Sequence, residues 1–188
     1  MKRIIILLIL SFVFIPVFAA DFGPIINGGD IDALLANYPA MKGDLENMFS
    51  RMDNTQNRTF AEKVDKSSQM LEVFLFYSQS QTIKLDDYIK SFREIVSATK
   101  PAEMKDLFNK YNLGDNGFGK YFLATTTTLM LYTQKYYNEE IAKFSPNSEE
   151  RRYLEGKVAS IGEFLKSLHP NDLSQIKAAQ LSILKTCM

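Results

Sequence analysis

The sequence predicts an all-α, single-domain bundle of about six or seven helices behind an N-terminal signal peptide. Three observations carry that expectation. Apolar residues recur at spacings of three and four along most of the chain, the signature of helices with one buried face. No charged residue lies between Lys120 and Lys135, so one helix is apolar on most sides and belongs in the middle of the others. Cys187 is the only cysteine, so no internal disulfide exists and stability must come from a packed core.

The N-terminus reads as an address. Lys2 and Arg3 form a basic head, and Ile4 to Phe14 is apolar apart from Ser11. Pro16 breaks the run, and Val17-Phe18-Ala19 supplies the residues a signal peptidase reads. Cleavage is expected between Ala19 and Ala20. A retained anchor is the competing reading, but Ile4 to Ala20 is short of the roughly 20 residues that span a bilayer. A lipoprotein would need a cysteine after the cleavage point, where Ala20 and Asp21 stand instead. Residues 1–19 are therefore assigned to the signal, 20–29 to a flexible lead-in rich in glycine, and 30–188 to the helical domain.

Asp30 is the expected N-cap of a first helix carrying Ile31, Leu34 and Leu35. Pro39 should end or kink it, with Met41, Leu45, Met48 and Phe49 continuing the pattern. Asp53 to Thr59 is polar and reads as a loop. Phe60, Val64, Leu71 and Leu75 share a face with the small Ser67 and Ser68 between them, whereas Val73 to Tyr77 fits a strand equally well. Leu85, Tyr88, Ile89, Phe92, Ile95 and Val96 form the clearest amphipathic helix, with Asp86 and Asp87 at its positive end.

Pro101 and Glu103 open a helix with Met104, Leu107, Phe108 and Tyr111, stopped by Gly114. In the next segment Thr125 to Thr128 favours a strand. Helix is still expected, because Phe118, Phe122, Thr125, Leu129, Tyr132 and Tyr136 make one continuous face. Ser148-Glu149-Glu150 starts a helix with a seam at Leu154, Val158, Ile161, Leu165 and Leu168. After His169-Pro170, Asn171 is the expected cap of a last helix with Leu173, Ile176, Ile183 and Leu184.

Composition narrows function by exclusion. The chain has 22 basic and 22 acidic residues, and loss of Lys2 and Arg3 leaves a net charge near −2. Without a basic stripe, nucleic acid is not an expected partner. His169 and Cys187 are single, so no zinc or copper set assembles, and no metal or cofactor is expected. Lys110 to Leu123 imitates an EF-hand, but Gly114 and Leu123 fall where oxygen ligands are required. Gly114, Gly117 and Gly119 lack the spacing of a nucleotide loop.

Ser97/Lys100, Ser174/Lys177 and Ser182/Lys185 match Ser-x-x-Lys without the accompanying Lys-Thr-Gly. The pairs Asp86/Asp87, Glu139/Glu140 and Glu149/Glu150 suit solvated helix faces better than acid–base work.

The positive oddity is aromatic: 14 Phe and 9 Tyr but no Trp. Tyr132, Tyr136 and Tyr137 extend the uncharged helix toward a polar end and are the candidate ligand or partner contacts. The expected function is a non-enzymatic exported protein, periplasmic or secreted, that binds an envelope protein or an apolar ligand. A small glycan hydrolase using a carboxylate pair and a self-assembling structural component are the alternatives, and Cys187 offers a disulfide to a second chain. Asn57-Arg58-Thr59 is a glycosylation acceptor in a eukaryotic source, although the Ile- and Lys-rich composition points to a bacterium.

Overall fold

The computed structural model describes residues 23–51, 55–76 and 84–187. The signal segment, its cleavage point at Ala19 and Ala20, and Tyr77 lie outside the described residues. Seven helices and no strand occur among the described residues. They are α1 (Gly28–Ser50), α2 (Thr55–Phe76), α3 (Leu85–Ser97), α4 (Ala102–Lys110), α5 (Gly117–Ile141), α6 (Glu149–Lys166) and α7 (Pro170–Cys187).

Several boundaries differ from expectation for local chemical reasons. Asn27, not Asp30, caps α1: its side chain accepts from the Asp30 amide while the Asp30 carboxylate accepts from the Asn27 amide. This reciprocal capping box satisfies two otherwise orphaned amides. Pro39 lies inside α1 without ending it. Thr55 to Thr59, read as loop, are the first turns of α2, and Val73 to Phe76 are helical rather than extended. Helix α7 begins at Pro170, where a missing amide costs nothing. His169 Nδ1 accepts from the Asn171 amide at 3.2 Å, so the cap is His169 and Asn171 lies inside the helix.

Helix α5 is the hub, packing against α3, α4, α6 and α7. Its threonine run stays helical because tertiary burial outweighs β propensity. Thr127 and Thr128 are fully buried, and the Thr125 hydroxyl donates back to the Tyr121 carbonyl at 2.8 Å. The main seam of α5 is Gly119, Leu123, Thr126, Met130, Thr133 and Tyr137, spaced alternately by four and three and buried throughout. Gly119 belongs to it because a Cβ there would run into the Val96 carbonyl of α3.

Most of the described aromatic residues belong to the core. Phe108, Phe118, Phe122, Phe92, Phe164, Tyr88 and Phe74 form an unbroken chain of rings with successive centroids 5.1 to 6.1 Å apart. It runs through α4, α5, α3 and α6, then back through α3 to α2. Such pairs add about 1 kcal/mol each beyond the area they bury.

The lead-in is tied to the far end of the chain rather than running loose. Asp172, only 2 % exposed, accepts from the Ile25 amide at 2.9 Å and the Ile26 amide at 2.8 Å. Beside it, Lys120 donates to Asp30 at 2.6 Å in a largely buried ion pair joining α5 to α1. Replacing Asp172 by Ala strands two amides, so a loss of about 3 kcal/mol is expected in chemical denaturation. A loss under about 0.5 kcal/mol, the size of an ordinary surface change, would contradict this anchor. The opposite sign is expected at Thr127, whose buried hydroxyl lacks a hydrogen-bond partner among the described residues. Thr127→Val keeps the shape and should stabilise by roughly 1 kcal/mol; destabilisation would show that the hydroxyl is satisfied.

Candidate functional site

The expected face of α5 is divided in use. Phe118, Phe122, Thr125 and Leu129 form the floor of a groove of about 300 Å³, whereas Tyr132 and Tyr136 continue the same face into solvent, each 48 % exposed. Tyr137 does not join them. It is buried, and its hydroxyl donates to the Leu75 carbonyl at 2.5 Å, closing the end of α2. The three tyrosines thus separate into an exposed pair and a structural clasp.

The groove exists because α2 leans on α3 and is fastened to the rest mainly at its ends. At one end Phe60 meets Phe118 edge-on at 5.5 Å. At the other, Tyr137 holds Leu75 and Lys157 of α6 donates to the Phe74 carbonyl at 2.5 Å. Between these fastenings α2 presents Val64, Ser68 and Leu71, while α5 presents Thr125, Thr126 and Leu129. Side chains this small leave a gap where larger ones would interdigitate. Leu45 and Phe49 of α1 form the other wall.

Two hydroxyls of the lining are bonded to their own helices. Ser68 Oγ donates to the Val64 carbonyl at 2.9 Å, and Thr125 Oγ1 donates to Tyr121. The Tyr121 phenol is held well above the ordinary tyrosine range by burial, with Tyr38 reinforcing the effect. Among the described residues no charged side chain lines the groove. Such a surface offers mainly hydrocarbon contact. The small serines on the Phe60–Leu75 face were its only sequence signal; the apolar spacing of α1, α2 and α5 reads equally well as sealed core.

A second, more polar cleft of about 430 Å³ opens between α2 and the α3–α4 connection, lined by Thr59, Phe60, Lys63, Thr99 and Lys100 among others. Lys100 itself is 4 % exposed and donates to the Ile95, Val96 and Ala98 carbonyls at 2.8, 3.2 and 2.6 Å. Those three bonds use all of its ammonium protons and cap the C-terminal end of α3. Burial pushes its pKa down to about 8, yet the amine is occupied as a cap rather than presented to a substrate.

The remaining sequence candidates do not converge. Asp86, Asp87, Glu149 and Glu150 are exposed in first turns of helices. Glu139 and Glu140 pair with Lys135 and Lys143 at 3.9 and 2.6 Å. No cluster of three metal-binding side chains occurs among the described residues. Cys187 is packed in the core, and burial pushes its thiol up to about 11, which suppresses the reactive thiolate. Bridging to another chain would require the last turn of α7 to open. Asn57 is buried in α2 and donates to Glu103 at 3.2 Å, so as folded it is out of reach of a glycosylating enzyme. No described helix is long and apolar enough to cross a membrane.

Among the described residues, the fold and groove define an all-α bundle with an open apolar groove between α1, α2 and α5. Compared with protein-family models, curated proteins and solved structures, the chain matches none.

Lys100 gives a pH signature of known sign. Its folded pKa, about 8, lies below the ordinary 10.5, so between those values the unfolded chain holds a proton that the folded chain lacks. Stability from this group therefore rises with pH across that window. The unfolding free energy of the wild type minus that of Lys100→Met should increase from pH 8 to pH 10.5. A flat or falling difference would mean that Lys100 is not desolvated.

Proposed function

We propose that this chain is a non-enzymatic, exported binding protein that takes the hydrocarbon part of a small amphiphile in the groove between α1, α2 and α5. The observation that carries the reading is the lining itself: eleven described residues without a charge, whose serine and Thr125 hydroxyls are spent on their own helices. A site for a polar substrate needs convergent donors and acceptors facing the ligand, whereas most of the described lining here is hydrocarbon. The basic head and apolar run of residues 2–14 support export to the periplasm or beyond.

The groove offers about 300 Å³, at the lower end of small-molecule sites. Tyr132 and Tyr136 lie in line with Leu129 beyond the floor, where an apolar ring with a polar tip suits the junction between a hydrocarbon chain and water.

Diphenylhexatriene, which fluoresces on entering hydrocarbon surroundings, tests the reading with purified protein. Saturable uptake with one site per chain is expected. Ser68→Phe, at an exposed position on the groove wall, should fill the gap and weaken uptake at least about tenfold while changing stability by less than about 0.5 kcal/mol. Uptake by the wild type that survives Ser68→Phe unchanged would place the ligand elsewhere, and no uptake at all would refute the proposal.

A further inference from the structure

The rim of the groove carries charge although its lining does not, and that charge is one-sided. Ser68 both lines the groove and is exposed, which marks the α2 lip. On a helix, neighbours along one strip stand three and four residues apart. The charged residues at those positions from Ser68 are Asp65 and Glu72, both exposed. On the α1 wall the charged residues at the same spacing from Phe49 and Leu45, among the described residues, are Glu46 and Lys42, again both exposed. None of these four belongs to an ion pair among the described residues. Asp65 instead accepts from the Gln69 amide at 2.8 Å.

Among the described residues, three carboxylates and one amine therefore occupy the helix strips that flank the slot. The lysines of α2 do not redress this, because Lys63 and Lys66 line the cleft on the opposite, α3-facing side. On α5 no charged residue falls three or four positions from Thr125 or Leu129, and the first beyond them, Lys135, is paired with Glu139.

We propose that the occupant of the groove is a single-chain amphiphile with a positively charged head, and that the acidic rim rejects anionic lipids. This rests on the hydrocarbon-binding reading and adds the sign of the head group. Two net negative charges roughly 8 Å from a head group in water separate each step of charge by about fivefold at low salt. The separation fades in molar salt, where screening acts over about 3 Å.

Displacement of bound diphenylhexatriene by oleylamine, monoolein and oleate supplies a cationic, an uncharged and an anionic head on similar chains. Oleylamine is expected to displace best and oleate worst, with the gap closing in molar salt. The double variant Asp65→Lys with Glu72→Lys, at two exposed positions, should reverse the order. Oleate binding as tightly as oleylamine to the wild type, or an order unmoved by the double variant, would overturn the charge assignment while leaving the groove intact. If diphenylhexatriene itself is not taken up, the hydrocarbon reading fails and this assignment fails with it.

Discussion

Burial of α5 is the constraint from which the rest of the molecule follows. The helix lacks charge from Tyr121 to Gln134, so exposing it would leave a long apolar surface in water. Helices α3, α4, α6 and α7 cover it along the Gly119–Tyr137 seam. A helix has more circumference than four neighbours seal, and the sector from Phe118 to Leu129 is left to α1 and α2. Those two cover it incompletely, since Val64, Ser68, Thr125 and Thr126 are too small to meet across the gap. The groove is what remains of a core that α5 started and α2 did not finish.

Packing helices this closely buries their polar ends, and long side chains from neighbouring elements deal with that cost. Lys100 folds over the end of α3, Lys157 and Tyr137 reach the last carbonyls of α2, and Asp172 receives the amides ahead of α1. Each contact joins segments distant in sequence or seals a helix end that would otherwise need water. Both fastenings at the C-terminal end of α2 act there alone, which keeps that end against α5 and α6 while the middle of the helix stands off. The same set of polar contacts thus stabilises the bundle and defines the opening.

Much of the architecture was legible in periodicity. The helix around Tyr88, Phe92 and Ile95, the helix starts at Pro101 and Ser148, and the helical state of the threonine run all agree with the sequence pattern. Boundaries set by a single side chain were harder, because Asn27 and His169 cap through atoms whose aim depends on the finished turn. The site was half legible. The Phe118–Tyr136 face was visible as a stripe, but spacing alone does not distinguish a stripe under another helix from one open to a ligand. Tyr137 shows the same limit: one residue from Tyr136, it points 100° away and meets a backbone carbonyl contributed by α2.

Helix α5 has a sealed seam and, toward α1 and α2, an open one. Methyl NMR during titration with a hydrocarbon probe compares the two directly. The expected result is movement of the Leu45, Val64, Leu71, Thr125 and Leu129 methyl signals, with those of Leu123 and Met130 unmoved. Equal movement of both sets, or movement of the Leu123 and Met130 set alone, would contradict the division of α5 on which the account depends.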